Sequence, residues 1–426
     1  MVGQVGQVLM GVVDTAMVGK MGEEPVAAAG VASSVFFLIT VFGFGLSTAV
    51  SPLVSMAAAK RDYAETAGIL RGSYRASILV SLIIQALLLL LSTQFHVFGQ
   101  DPVVADLAVD YLRIVSFSVL PMILFLSAKQ FADGLSFTQS SMVITLLAIP
   151  LNAFLNWLLI YGNWGFSPLG LDGAAYATLI TRVSMMLAMI AYLHKSKDLH
   201  LFVVQKPKLA KVFSEKVMKM GIPSGFQYFF EIAAFGGAMI MAGWIGVTEQ
   251  AAHQIAINTA ALTYMAVTGF AAAGGIRVGA AFGGYSQTQV RMAGKAAILL
   301  GAAWMIVCGA ALAIFREPIV ALYIENKEVQ EWAARLLVIA ALFQLSDGIQ
   351  AIGLGILRGI ADVKRPMLIT LFAYWVIGIP VGYYLGFNTL LSVQGIWIGL
   401  LLGLSVSAIL LYWRFNRLSK LKMEQS

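Results

Sequence analysis

Charge is scarce in this chain: 12% of its 426 residues are Asp, Glu, Lys or Arg, where a soluble domain carries roughly a quarter. That scarcity excludes a water-soluble protein. Thiols are scarcer still. A single cysteine, Cys308, rules out an internal disulfide and reads as a small packing hydrophobe. The four histidines show no metal-ligand spacing, so no metallocentre or resident cofactor is expected. No HExxH, nucleophile–base pair or phosphate-cradling glycine loop occurs, and runs such as "VFGFGLS" read as helix-packing notches. No enzyme is expected. Met1 opens onto "MVGQVGQVLMGVVDTAMVGKMG" without a basic leader or a small-residue cleavage site, so no cleavable signal is expected. That first apolar stretch reads short, as though the chain began partway along it.

Apolar residues fill the rest: 59% of the chain is hydrophobic, with mean hydropathy +0.84 and 41 glycines. A spanning helix needs about 20 mostly apolar residues, and the pattern predicts twelve: 1–19, 27–58, 76–97, 109–132, 139–162, 173–194, 217–246, 250–283, 290–315, 329–358, 364–386 and 393–414. The predicted fold is an all-α, multi-pass membrane protein. Its basic pI, near 9.3, does not point to nucleic acid. Lys60, Arg61, Arg71, Arg75, the seven lysines from Lys195 to Lys219, Arg291, Lys295, Arg358, Lys364, Arg365 and the C-terminal tail gather on one side, against Lys20, Arg316 and Lys327 on the other. The positive-inside rule then puts both termini in the cytoplasm, in a cell (inner or plasma) membrane.

The basic connector "KSKDLHLFVVQKPKLAKVFSEK" divides the chain into an N-lobe (1–194), a linker (195–216) and a C-lobe (217–426). The lobes repeat. The stretch from Gly22 lies against that from Gly246 without a gap, at a displacement of 224, and Gly134, Met142 and Thr145 match Gly359, Met367 and Thr370 at 225. With six spans each, both halves enter from the same side, so a pseudo-two-fold axis along the membrane normal is expected, with the two bundles in a V around a central cavity.

Three acids fall well inside predicted spans: Asp14, Glu231 and Asp347. An aspartate at a helix centre costs about 2.5–3.5 kcal/mol on insertion scales, and such residues face a bundle interior or a wet cavity. Their helical neighbours are polar on the same stripe: Gln4, Gln7 and Gly11 before Asp14, and Ser224 and Gln227 before Glu231. Asn152 and Asn156 share a face of span five, where Pro150 can free a backbone carbonyl. Gln254 and Asn258 share a face of span eight with Tyr264 deeper, and Gln344 precedes Asp347 in span ten. Carboxylates, amides and hydroxyls are hard oxygen ligands, suited to Na⁺ or a proton and to no softer metal. The alternative for the amides is inter-helix hydrogen bonding, at about 0.6 kcal/mol each. His253 reads as a hydrogen-bonding core residue.

The stretches "MGVVDTAMVGKMG", "GIPSGFQYFFEIAAF", "AAHQIAINTAALTYM" and "FQLSDGIQAIGLGILRGIADVK" resemble the NorM-type branch of the multidrug and toxic compound extrusion (MATE) family. The resemblance implies a two-lobe, twelve-helix antiporter that exports lipophilic organic cations against inward Na⁺ or H⁺, as a monomer. It assigns the C-lobe cation site to Glu231, Tyr264 and Asp347, and N-lobe protonation and drug binding to Asp14, Asn152 and Asn156. Gln7, Gln227, Gln254, Asn258 and Gln344 are supporting polar groups. Set against the family, a segment before span one would be expected and span one reads short, and Phe343 stands where some relatives have tyrosine. The alternative is a flippase for a lipid-linked glycan or phospholipid, which would need arginine or lysine in its cavity. The basic residues inside spans are Arg113, Lys129, Arg182, Arg277 and Arg335.

Overall fold

The computed structural model describes residues 2–95, 101–205 and 210–420, without the side chains at 2–5, 7, 8 and 210. The side chains of Gln4 and Gln7 therefore lie outside what is described. Every regular element described is helical. The first half holds α1 (Val2–Val18), α2 (Glu23–Thr48), α3 (Val50–Ala59), α4 (Tyr63–Ser92), α5 (Pro102–Ser116), α6 (Val119–Gly134), α7 (Thr138–Tyr161), α8 (Gly170–Lys195) and α9 (His200–Val204). After α10 (Ala210–Ile245) come α11 (Val247–Gly283), α12 (Gln287–Ile314), α13 (Arg316–Ala321), α14 (Lys327–Gly359), α15 (Lys364–Leu371), a π-helical stretch (Phe372–Gly378), α16 (Ile379–Asn388) and α17 (Val393–Leu418).

Ten of the described helical stretches are long and apolar enough to cross a bilayer, α2 with α3 and α15 through α16 each counting as one. The bent pair α5–α6 makes an eleventh, and α1, at 17 residues, is slightly short of that test. A helix lies over each of the twelve predicted spans. The chain forms two compact units, Met1–Gly225 and Phe226–Ser426, divided within α10. The basic connector is not a bare tether: Arg71 of α4 donates to the carbonyls of Val203 and Val204 at 3.4 Å, and Phe202 packs on Tyr63 with ring centroids 5.1 Å apart.

The duplication reaches down to single turns. Asp62 caps α4 by accepting from the Glu65 N–H, and Ser286 caps α12 by accepting from the Gln289 N–H, 224 residues on. Asp101 and Asn326 do the same for α5 and α14. Arg61 and Tyr285, at φ 58° and 55°, end equivalent helices in the left-handed region that non-glycine residues rarely enter. Ser136 and Ala361 repeat the device at φ 68° and 59°. Two glycines permit equivalent close approaches: a Cβ on Gly134 would lie 2.7 Å from the Ser51 carbonyl oxygen, and one on Gly359 would lie 2.7 Å from that of Gly275.

The repeats part company at two prolines. In the first unit the helix breaks by 43° between Ser116 and Val119, where Pro121 has no N–H for the carbonyl of Phe117. Its counterpart α14 has Ser346 there and runs unbroken for 33 residues. In the second unit Pro380 sits in the first turn of α16, its ring set against the Val376 carbonyl, and the turns before it widen into the π-helix. In α7, Pro150 leaves the α-helix continuous.

Candidate functional site

Each unit gathers a buried polar cluster around its own acid. In the second unit α10 presents Gln227 and Glu231, one turn apart on one face. From α11, the Tyr264 hydroxyl donates to Glu231 Oε1 at 3.3 Å. Glu231 Oε2 is buried with no hydrogen-bond partner. From α14 comes Asp347, close enough to Glu231 that the two charges interact. The residues are 7% and 6% exposed, so neither carboxylate has a full water shell. Gln344, one turn before Asp347, is fully buried with both amide atoms unpartnered. Carboxylate and amide oxygens left without donors, beside a phenol, are a donor set that fits a small hard cation. Among the described residues, no arginine or lysine forms an ion pair with Glu231, Asp347 or Asp14.

Three further residues belong to this cluster, and the sequence reading did not assign them to it. The π-helical stretch turns Tyr374 inward, where its hydroxyl and the amide of Gln350 exchange hydrogen bonds at 3.0 and 3.2 Å. Gln350 lies one turn past Asp347, a spacing visible in "SDGIQ". Arg358, which the sequence reading places among the loop cations, instead ends α14, with its guanidinium 5.3 Å from the Tyr228 ring centroid and 3.4 Å from Gln227 Oε1. Gln254 and Asn258 bond to each other at 3.0 Å on an exposed face of α11, and no described bond joins them to Glu231 or Asp347. Phe343 is stacked on Trp397, 5.2 Å between centroids. His253 is a core residue, its Nδ1 accepting from Trp397 Nε1 at 3.1 Å.

In the first unit Asp14 is half-buried and fully engaged. Asn156 Nδ2 donates to Oδ1 at 2.6 Å and Thr178 Oγ1 donates to Oδ2 at 3.3 Å. Asn156 Nδ2 also reaches Asn152 Oδ1 at 3.3 Å, while Asn152 Nδ2 and Asn156 Oδ1 are buried without partners. The Tyr161 hydroxyl donates to the Met17 carbonyl at 2.8 Å, tying α7 to α1 next to the acid. Thr178 was missed by sequence reasoning. The signal was available: Arg182, an arginine inside span six, sits one turn further along the same face of α8. Its guanidinium lies 4.9 Å from the Phe36 ring centroid and donates to Ser118 at 2.6 Å, at the break between α5 and α6.

A helical chain with this many apolar spans, built by duplication and holding a carboxylate among polar side chains inside a span in each half, is a multi-pass membrane protein. Its family follows from likeness. The MatE family model matches residues 1–158 and 223–384. A probable multidrug resistance protein NorM of Rhizobium meliloti is 34% identical over 423 residues, covering 97% of this chain and 90% of that protein. The multidrug resistance protein NorM of Vibrio vulnificus is 34% identical over 429 residues, 99% and 93% respectively. A crystal structure of MATE in the bent conformation superposes with a TM-score of 0.89 at 22% identity, over 98% of this chain and 93% of that one. The eukaryotic MATE transporter AtDTX14 does so at 0.86 and 22%, over 98% and 95%. The chain belongs to the MatE family.

Proposed function

We propose that this chain is a secondary active multidrug efflux antiporter that exports lipophilic organic cations in exchange for Na⁺ or H⁺. One observation carries the reading: Glu231 Oε2 is buried without a donor, beside a second acid and an unpartnered amide, and among the described residues no cation is paired to either acid. A charge held this way in low dielectric favours whatever positive species can reach it. Desolvation favours a protonated carboxyl and a nearby cation an ionised one, so one site can exchange Na⁺, H⁺ or a cationic drug in turn. Relatives called multidrug resistance proteins support the cargo class. Glu231, Asp347 and Tyr264 would load the coupling ion, and Asp14, Asn152, Asn156 and Thr178 would form the protonation and drug site of the other half. Residues 195–216 would be the cytoplasmic linker between lobes in a cell membrane, with both termini inside.

The test is ethidium efflux from proteoliposomes with Na⁺ and pH gradients imposed separately. Efflux driven by one gradient supports the antiporter. Efflux driven by neither, together with transport of a fluorescent phospholipid, favours the flippase. The half-buried guanidinia of Arg182 and Arg358, each against an aromatic ring and a neutral side-chain oxygen, are the groups that a phosphate-bearing cargo would engage.

A further inference from the structure

Arg358 lies eleven residues past Asp347 on α14, three helical turns, so the two project from one face. Its Nε is buried without an acceptor. A guanidinium carries only donors, so the 3.4 Å contact from Arg358 Nη2 fixes the Gln227 amide with its oxygen toward Arg358 and Nε2 turned away. That Nε2 is buried and unpartnered as well. One turn along α10, Glu231 Oε2 is a buried acceptor with no donor. Two donors and one acceptor without a hydrogen bond within 3.5 Å thus lie about the Glu231 carboxyl, which the charge of Arg358 reaches and toward which the Gln227 amide is directed as a donor. A buried group left unsatisfied costs about 1–3 kcal/mol; a swing of the guanidinium toward Glu231 would pair Nε with Oε2, and Gln227 Nε2 can donate to the same carboxylate. Tyr264, Tyr374 and Asp347 are the other ionisable groups that interact with that carboxyl.

We infer that Arg358 is an internal counter-cation: when the coupling ion leaves Glu231, the guanidinium, aided by Gln227, closes on the carboxylate and holds it until the next ion displaces it. The inference rests on Glu231 being the ion site of the proposed antiporter. It supplies what that cycle needs, since an unpaired carboxylate in a dry interior is too costly to carry through a change of conformation. Arg358 acts through Glu231 and is a positioning residue.

The test compares wild type, Arg358→Gln, Arg358→Lys and Glu231→Gln. Tryptophan fluorescence of the purified protein is titrated with Na⁺ at alkaline pH and, without Na⁺, with protons, and ethidium efflux is followed in proteoliposomes. If the internal pair holds about nine-tenths of the empty protein, removing the competitor lowers the half-saturating ion concentration about tenfold. Efflux turnover falls at the same time, because the empty carrier loses its stand-in cation. Arg358→Lys should keep both close to wild type, and in the Glu231→Gln background the glutamine change should leave the titration unaltered. Where Arg358→Gln does not accumulate, Arg358→Met carries the same expectation. An unchanged or weakened ion response with normal folding, or a shift that persists without Glu231, overturns the inference. A wild-type protein with no ion response and no ion-driven efflux overturns the transport reading, and this one with it.

Discussion

Asp14 and Glu231 are both carboxylates inside spans, yet Asp14 has a donor on each oxygen, from Asn156 and Thr178, while Glu231 has Tyr264 on one and nothing on the other. The arginine of each unit differs in the same sense. Arg182 is held by Ser118 at a helix break that Pro121 creates, whereas Arg358 has a buried Nε without an acceptor and a single 3.4 Å contact to Gln227. A duplicated framework therefore keeps one acid satisfied and leaves the other open. Turns, caps and glycines pair between the units, so the contrast lies in a few side chains and in the two places where the helices differ, the break before Pro121 and the π-helix before Pro380.

The largest effect should come from the open site. Glu231→Gln or Asp347→Asn should reduce ethidium efflux to the level of cells lacking the protein, at unchanged membrane abundance. Substantial efflux in both variants would remove the distinction between the units. Next comes the shared framework. Gly134→Val and Gly359→Val should each destabilise by about 3 kcal/mol, because each forces a side chain against a backbone carbonyl. Thermal unfolding in detergent reads this, and a large effect at one glycine only would mean that the repeat is not mechanically equivalent. At the satisfied site, Asn156→Ala removes the 2.6 Å bond to Asp14, worth about 1.5–3 kcal/mol to a charged acceptor. Dye affinity should weaken about tenfold, measured by equilibrium binding. Thr178→Val, losing a 3.3 Å bond, should weaken it less, by about threefold; the reverse order would show that Thr178 dominates the Asp14 site. The smallest effects belong to the caps. Asp62→Ala should lower stability by about 1 kcal/mol, and Ser286→Ala by less, because the Asp62 bond is 2.8 Å and the Ser286 bond 3.4 Å.

Much of this was legible in the residues. Hydropathy and length located a helix over each predicted span, and the displacement of 224 to 225 anticipated the duplicated turns. Asp14, Asn152 and Asn156 lie together, and so do Glu231, Tyr264 and Asp347, the sets that the family resemblance implied. Gln254 and Asn258 share a helical stripe just as Asn152 and Asn156 do, yet they pair with each other on an exposed face. A stripe states which residues share a side and leaves open what that side meets. Thr178, Gln350 and Tyr374 escaped notice, and Arg358 was counted among the loop cations, for a related reason. None is an acid in a span, and the inward turn of Tyr374 depends on the π-helix before Pro380.

The sequence by itself determined that this chain lives in a bilayer as a duplicated helical bundle, because hydrocarbon admits only long apolar helices here and a repeat of turns and glycines reproduces itself locally. Tertiary structure alone decided which buried acid is saturated and which is left open. Hydrogen-bond partners of a carboxylate come from helices distant in the chain, and an ångström at a break or a widened turn determines whether a donor reaches the oxygen.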